Sequence, residues 1–328
     1  MKSLAVNLVV SCTHRKTVPA VLRMRDFRSI RSNRRLASWI SALNASESGR
    51  TIPARSLYSG DHWSVARSLA ENPPDGVSVR LWISSAGYGL VQVDDELVPY
   101  SATFSPGQLD SVIGDEPADG SFREAAIEWW TGLALRRGGR SRRVSRIEDI
   151  AATDPKVPLM ITASPVYVDA MITDLLAASR RLSTPDLLSI FTSKEAKLAD
   201  LANHAIPYDA RLQATRKSGG PSTVGGAYPS LNIRATALAI ATARVTRCRL
   251  SSLREHFEQL GTKQPPLRKF NRRRAKPSEV EAFVRKSLSR DRNATHSRLL
   301  REFRDKGNAF EYNRFRTVFQ DVRDSMED

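Results

Sequence analysis

Four short apolar runs rich in β-branched residues are separated by longer segments with helical periodicity, and this alternation is the strongest constraint on the fold. The runs cover residues 4–10, 77–84, 157–162 and 187–191. Strands that alternate with helices in this way are typical of parallel sheets. The sequence therefore predicts an α/β fold, with an open, mostly parallel sheet and flanking helices.

The composition of the chain changes near residue 261, and this change predicts a domain boundary. The segment 261–278 contains two adjacent prolines followed by six basic residues, which is typical of a linker. The alanine-rich segment 231–260 before it is predicted as one long helix, and three apolar stripes after it predict three short amphipathic helices. We therefore predict an α/β domain over 1–260, a basic linker over 261–278 and a small helical module over 279–328.

The positive charge of the chain is large and unevenly distributed. The 328 residues carry a formal net charge of +16. From Lys263 onward there are 18 Lys and Arg against 10 Asp and Glu, so charge density is about fourfold higher there than in the rest of the chain. Such a balance favours a polyanionic partner through the release of counterions.

DNA is the predicted partner, and the basic residues expected to contact its phosphates lie in three places. These are an Arg/Gly-rich stretch in the α/β domain, the linker and the helical module. An alternative interpretation of the helical module is a basic cap that packs on the α/β domain. The predicted DNA-binding residues are Arg140, Arg142, Arg143, Arg272, Arg273, Arg274, Lys276, Arg298 and Arg314.

Several functional classes are disfavoured by what the sequence lacks. Two cysteines, Cys12 and Cys248, cannot form a disulfide framework, and the five histidines are scattered without metal-binding spacing. The glycine pairs near residues 219–226 do not have the spacing of a nucleotide-binding loop. No stretch approaches about 18 uncharged apolar residues. We expect a cytoplasmic monomer without metal, cofactor or membrane contact.

Small polar residues follow three of the predicted strands, and this coincidence predicts a binding site. The carboxyl ends of parallel strands converge on one crevice of the sheet. Hydroxyls, backbone amides and two tyrosines would line it, and a planar base could stack there. Strand ends also carry such residues for turn formation alone. The three segments are Ser11-Cys12-Thr13, Ser84-Ser85-Ala86-Gly87-Tyr88 and Ser164-Pro165-Val166-Tyr167.

An acidic cluster just past the second strand provides candidate catalytic carboxylates. Asp94, Asp95 and Glu96 precede Tyr100. A carboxylate can stabilise the positive charge that develops on a sugar when an N-glycosidic bond breaks, or it can activate water. The alternative is an acidic surface turn. Cys12, which lies near His14, Arg15 and Lys16, is a further candidate as a nucleophile.

The same segments resemble a known bacterial family of α/β domains. That family is related to the uracil-DNA-glycosylase-like superfamily and includes DNA glycosylases used in anti-phage defence against hypermodified DNA. The resemblance covers roughly residues 4–235, and the Gly-Gln-Asp-Pro-Tyr and His-Pro-Ser-Pro loops of classical uracil glycosylases are absent. The residues that carry it are Ser11-Cys12-Thr13, Lys16, Pro19, Leu57-Tyr58, Trp82-Ile83-Ser84-Ser85-Ala86-Gly87-Tyr88-Gly89-Leu90-Val91, Asp94, Pro99-Tyr100, Tyr167 and Ser230-Leu231-Asn232-Ile233-Arg234.

The resemblance implies a cofactor-free enzyme that excises a modified base, such as glucosylated hydroxymethylcytosine, and leaves an abasic site. It implies a catalytic role for Asp94, Asp95 and Tyr100. Two alternatives remain open: a non-catalytic DNA-binding or stress-response protein, and a transglycosylase that exchanges one base for another. The implied substrate-binding residues are Ser11, Cys12, Thr13, Lys16, Tyr58, Ser84, Ser85, Gly87, Tyr88, Ser164, Tyr167, Asn232 and Arg234.

Overall fold

The structure of this chain is a computed structural model. The structure describes residues 3–46, 48–113, 121–138, 144–192, 198–214, 230–263 and 271–327. The chain divides into two compact units, Met1–Pro265 and Pro266–Asp328.

The helices and strands follow in chain order. The strands are β1 (Leu4–Ser11), β2 (Leu22–Arg23), β3 (Ile52–Pro53), β4 (Val77–Ser85), β5 (Gly89–Gln92), β6 (Glu96–Leu97), β7 (Tyr100–Ser101), β8 (Leu159–Thr162), β9 (Leu188–Phe191), β10 (Ala205–Ile206), β11 (Arg273–Arg274) and β12 (Asn308–Ala309). The α-helices are α1 (Ser32–Ser46), α2 (Ala54–Leu57), α3 (Asp61–Glu71), α4 (Phe122–Gly138), α5 (Ile147–Thr153), α6 (Pro165–Ala170), α7 (Ile172–Arg181), α8 (Leu231–Ala241), α9 (Ala243–Thr246), α10 (Leu250–Thr262), α11 (Pro277–Arg290), α12 (His296–Asp305) and α13 (Tyr312–Glu327). Short 3₁₀ helices cover Met24–Phe27, Pro185–Leu187, Ala199–His204 and Ala210–Ala214.

The described residues of the first unit form a six-stranded sheet in the order β10-β9-β8-β1-β4-β5. All neighbouring strands are parallel except β4 and β5, which form an antiparallel hairpin. The predicted α/β class, with a mostly parallel sheet flanked by helices, is therefore confirmed.

The central position of β1 explains its composition. Residues 6–10 of this strand are all buried, as expected for a strand that is covered on both faces of the sheet. The chain runs from β1 to β4 on one side and later returns to β8 on the other side. This reversal of strand order next to β1 is a topological switch point, where open α/β sheets bind their ligands.

One strand was not predicted, and one prediction of local structure was wrong. Gly89–Gln92 forms β5, which is not among the four predicted strands. The segment 231–260, predicted as one helix, is divided into α8, α9 and the first part of α10. The division before α10 is at Arg247 and Cys248, which have the left-handed φ values of 53° and 52°. A right-handed helix cannot continue through such residues.

The second unit has an apolar core of its own. Val284, Leu300, Phe303 and Phe315 are among the buried side chains that α11, α12 and α13 contribute to it. Thr295 caps α12 through its side-chain oxygen, and β11 pairs with β12 next to the helices. The amphipathic stripes that predicted three helices are therefore the faces that bury this core.

Candidate functional site at the strand ends

The carboxyl ends of β1, β4 and β8 lie side by side. Ser11 is in register with Ser84, and Val10 is in register with Thr162. The backbone N–H of Cys12 donates to the carbonyl oxygen of Ser84 at 2.9 Å, which joins the first residue after β1 to the end of β4. The structure therefore brings the predicted strand-end segments to one edge of the sheet.

A chain of buried hydroxyls lies beneath this edge. The hydroxyl oxygens of Tyr58 and Tyr100 are 2.9 Å apart, and the Ser85 hydroxyl is 2.5 Å from that of Tyr100. Ser85 Oγ also accepts hydrogen bonds from the backbone N–H groups of Gly87 and Tyr88. These bonds satisfy polar groups that would otherwise be costly to bury.

Short pairings outside the main sheet bring the two tyrosines to this position. Tyr58 forms an isolated antiparallel bridge with Lys16, in the loop that follows β1. Tyr100 begins β7, which pairs with β2 through Leu22. Since these residues are distant from the strand ends in sequence, only the tertiary fold brings their hydroxyls to the carboxyl end of β4.

Lys16 lies above the tyrosine rings. Its Nζ is 4.7 Å from the ring centre of Tyr100 and 5.3 Å from that of Tyr58, and it donates to the Thr13 carbonyl oxygen at 2.8 Å. Burial lowers the pKa of the Lys16 ammonium below its ordinary value, while Cys12 and Asp110 raise it in part. A half-buried amine of lowered pKa therefore lies at the switch point of the sheet.

A further tyrosine hydroxyl lies on the β8 side of β1. The Tyr167 hydroxyl, from α6, is 3.4 Å from Sγ of Cys12. Burial raises the pKa values of Tyr58, Tyr100 and Tyr167 well above that of free tyrosine, and the nearby Cys12 adds to the effect. These hydroxyls are therefore protonated near neutral pH and act as hydrogen-bond donors and acceptors, not as bases.

The tyrosine rings form the floor of the site. Tyr88 packs edge-to-face on Tyr100, and Tyr167 packs on Phe104, with ring centres 5.1 Å apart in both pairs. Tyr88 and Tyr167 are only 3% and 6% exposed, so the predicted stacking of a base on these two rings is not available in this arrangement. The accessible edge is polar and consists of Ser11, Cys12, Thr13, Lys16 and Ser164.

Two tryptophans hold the loop that follows β4. Nε1 of Trp39 donates to the carbonyl oxygen of Gly87 at 2.8 Å, and Nε1 of Trp129 donates to that of Ala86 at 2.7 Å. A Cβ on Gly87 would be 2.5 Å from the Tyr100 ring. Gly87 is therefore required for close packing on Tyr100 and presents no side chain to a substrate. Ser84 is likewise internal, since its hydroxyl donates to the carbonyl oxygen of Val10.

Asn232 and Arg234 lie on α8 and contact the beginning of α3. Arg234 forms an ion pair with Asp61 at 2.6 Å. Burial lowers the pKa of the neighbouring His62 to about 4, although a hydrogen bond with Asn232 raises it in part. The beginning of α3 lies close to the loop after β1. The backbone N–H of Ser59, just before α3, donates to the carbonyl oxygen of Arg15 in that loop. Asp61 and Arg234 are 173 residues apart, so no local pattern in the sequence could have indicated their pairing.

Asp94 and Asp95 lie away from the strand ends. Because β5 runs antiparallel to β4, Gln92 is opposite Trp82, three residues or about 10 Å before the end of β4 at Ser85. Asp95 accepts a hydrogen bond from the Gln92 N–H, and the exposed Asp94 pairs with Arg55. The reacting groups of a strand-end site must therefore come from other residues.

A buried carboxylate that sequence reasoning missed lies near Lys16. Asp110 accepts hydrogen bonds from the Arg25 guanidinium at 2.6 and 2.9 Å and from the Ser101 hydroxyl at 2.7 Å. Burial raises the pKa of Asp110, but these hydrogen bonds outweigh it and lower the pKa to about 2. Arg25 and Asp110 are 85 residues apart, so no local pattern could have indicated the pair.

The predicted DNA-binding residues differ in their surroundings. Arg140, Arg142 and Arg143 lie outside the described residues. Of those in the second unit, Arg273 pairs with Glu279, and Arg298 pairs with Asp291 and Glu302. Arg314 lies over the Phe310 ring. Arg274 and Lys276 are exposed and Arg272 is half-buried.

A separate cavity of about 370 Å³ lies beside the edge strand β10, lined in part by Tyr208, Arg211 and Phe257. Its lining includes none of Ser11, Cys12, Thr13, Lys16 and Ser164, which together with the tyrosine hydroxyls beneath them form the strand-end cluster. Among the residues that the structure describes, no group of three His, Cys, Asp or Glu side chains could hold a metal ion. No helix in that part of the chain is long and apolar enough to cross a membrane.

No protein-family model, curated protein or solved structure matches this chain. Its function is therefore inferred from the geometry of the strand-end cluster and from the charge of the chain.

Proposed function

We propose that this protein is a DNA glycosylase that excises a modified base and leaves an abasic site, in defence against phages with modified DNA. One observation supports this most strongly. Lys16, Cys12 and the tyrosine hydroxyls lie around the carboxyl end of β1, next to the switch point between β1 and β8, where an open α/β sheet binds its ligand. The central parallel strands have the order β4-β1-β8-β9, and we propose that they form a uracil-DNA-glycosylase-like core.

The chemistry of the site suits a polar base that is flipped out of the duplex. Its accessible edge carries hydroxyl, thiol and ammonium groups, and a floor of neutral tyrosines lies beneath. Such groups can form hydrogen bonds with the edge of a flipped base and with the sugar of a glucosylated one. A purely apolar pocket would leave those substrate groups unpaired, which is costly.

The charge of the chain supports DNA as the substrate. A net charge of +16 attracts a polyanion, and the second unit has exposed basic side chains on a small helical core. Contacts with phosphates provide affinity and position the duplex, whereas the strand-end site selects the base.

The proposal is tested by measuring base release directly. The purified protein is incubated with unmodified DNA and with phage DNA that carries glucosylated cytosines. Abasic sites are then labelled with an aldehyde-reactive probe, and the released base is identified by mass spectrometry. We expect release from the modified DNA only.

A blocking substitution locates the activity. Ser164 is exposed at the end of β8, so Ser164→Trp should obstruct the strand-end site without disturbing its floor. We expect at least a ~100-fold loss of base release, which corresponds to about 2.7 kcal/mol, with DNA binding retained. Ser183→Trp is the matched control, because Ser183 is also exposed but lies before β9, at the opposite edge of the sheet.

Other results would identify other functions. DNA binding without base release would show that the protein is non-catalytic. Incorporation of a labelled free base into DNA would show a transglycosylase. Equal base release by wild type and Ser164→Trp would show that the reaction takes place elsewhere.

A further inference from the structure

Lys16 is exceptional among the lysines of this protein. The chain contains 40 Arg and only 11 Lys, so the basic surface is mostly arginine. Lys16 is half-buried, whereas the other lysines in the described ranges are exposed: Lys156, Lys263, Lys276, Lys286 and Lys306. Arginine remains protonated in proteins, whereas a desolvated lysine can become a neutral amine. A lysine at this position therefore provides chemistry that arginine could not.

We propose that Lys16 is the nucleophile of the base-excision reaction and forms a Schiff base with C1′ of the deoxyribose. This inference rests on the proposed function, since it concerns the sugar of the excised nucleotide. It assigns the covalent step to the amine at the carboxyl end of β1, next to Cys12 and above Tyr58 and Tyr100.

The groups around Lys16 orient the amine, and its burial shifts it towards the neutral form. The Thr13 carbonyl oxygen accepts a hydrogen bond from Nζ, and the ring faces of Tyr58 and Tyr100 support it from one side. Burial lowers its pKa, against the opposing influence of Cys12 and Asp110. Asp110 already accepts hydrogen bonds from Arg25 and Ser101, which limits its attraction for the lysine.

The reaction balances without an oxidant or a reductant. The lone pair of the neutral Nζ forms a bond to C1′, and the C1′–N bond to the base breaks with its electron pair going to the base. The base takes up one proton and leaves, and the new amine loses one. The C1′–O4′ bond then opens as nitrogen forms the C=N bond, and O4′ takes a proton from solvent. Water later adds to C1′, which frees Lys16 and leaves the abasic aldehyde.

The test is reductive trapping of the Schiff base. Sodium borohydride converts a C=N bond between lysine and DNA into a stable amine that is seen as a protein–DNA adduct. The full-length protein is incubated with duplex DNA that contains a preformed abasic site and, separately, with glucosylated phage DNA. We expect adducts with both substrates and a modified peptide that contains Lys16.

A substitution at Lys16 tests whether the reaction needs its amine as a nucleophile or only its positive charge. Lys16→Arg keeps a cation above the tyrosine rings but provides no nucleophile, so we expect at least a ~100-fold loss of adduct with DNA binding retained. Lys156→Arg is the matched control, because Lys156 is exposed and precedes β8 at the opposite edge of the sheet. Its adduct yield should equal that of wild type.

The outcomes distinguish this inference from the proposed function. Base release without any adduct, or an adduct at a different lysine, would overturn the role of Lys16 and leave the glycosylase proposal intact. An adduct at Lys16 on abasic DNA, without base release from modified DNA, would support Schiff-base formation by Lys16 and overturn the proposed substrate. Normal base release by Lys16→Arg would also overturn the inference.

Discussion

At the scale of single residues, Asp110 stabilises the segments that place Tyr100 in the site. Asp110 is 2% exposed, and it connects Arg25, which follows β2, with Ser101 in β7. Because β7 also contains Tyr100, this carboxylate fixes the strand pair that places the Tyr100 hydroxyl under Lys16.

The lowered pKa of Asp110 predicts how its contribution to stability depends on pH. Its folded pKa of about 2 is below its ordinary value of 3.8, so the contribution is fully present well above pH 3.8 and is lost as pH falls towards 2. Asp110→Asn should therefore lower the free energy of unfolding by about 1–2 kcal/mol at pH 7, since Arg25 is partly screened by solvent.

Urea unfolding of wild type and Asp110→Asn at several pH values measures this effect. The difference between the two proteins should shrink as pH falls below 3.8, because Asp110 is then protonated in the unfolded chain and, towards pH 2, in the folded protein too. A difference that is the same at pH 7 and pH 2.5 would show that the charge on Asp110 does not contribute.

At the scale of elements, the hairpin of β4 and β5 depends on glycines for two different reasons. Gly89 has a φ of +75°, a backbone conformation that favours glycine. Gly87 instead allows Tyr100 to approach, since a Cβ there would be 2.5 Å from the Tyr100 ring and 3.3 Å from Trp39. The Gly-Tyr-Gly sequence therefore serves both the turn and the packing of the hydroxyl floor.

Gly87→Ala should displace Tyr100 and destabilise the protein. The added methyl group has no space between two buried aromatic side chains, and such overpacking costs about 1–3 kcal/mol. We expect a lower midpoint in chemical denaturation and reduced base release. An unchanged midpoint would mean that Tyr100 can move at little cost.

Gly261→Ala is the control for this substitution. Gly261 lies in α10, and a Cβ there would meet only the end of the Arg211 side chain at 3.6 Å. Alanine is the better helix former by up to about 1 kcal/mol, so this variant should be as stable as wild type or more stable.

At the scale of the whole molecule, the division into two units allows the role of each unit in DNA binding to be tested separately. The second unit has a hydrophobic core of its own, and residues 266–328 carry 17 Lys and Arg against 10 Asp and Glu. We expect a chain that ends at Pro265 to bind DNA more weakly and with a smaller dependence on salt.

The reduction in salt dependence follows from the number of DNA phosphates that the shortened chain no longer neutralises. The slope of log affinity against log salt concentration should fall in magnitude by roughly 0.9 for each such phosphate. Fluorescence anisotropy at several salt concentrations measures it, with circular dichroism as the control for folding. An unchanged slope would show that the second unit does not bind DNA.

The sequence pattern alone indicates the α/β class and four of the six strands that the structure describes in the main sheet, namely β1, β4, β8 and β9. Runs of β-branched residues can form buried parallel strands only when helices alternate with them, and this is a local property of the pattern. The same pattern located the small polar residues at the ends of β1, β4 and β8. It missed β5, because Gly-Tyr-Gly resembles a loop, and the helix break at Arg247, where neither glycine nor proline marks the end.

The polar residues that surround the strand ends come together through contacts between distant parts of the chain. Tyr58, Tyr100 and Lys16 meet there through pairings between distant parts of the chain, whereas Asp94 is carried away because β5 turns back along β4. Burial and side-chain pairing depend on residues far apart in sequence, and these interactions determine the pKa values and the exposure on which chemistry depends. For this reason the sequence indicated where a site would form, and the fold determined which groups it contains.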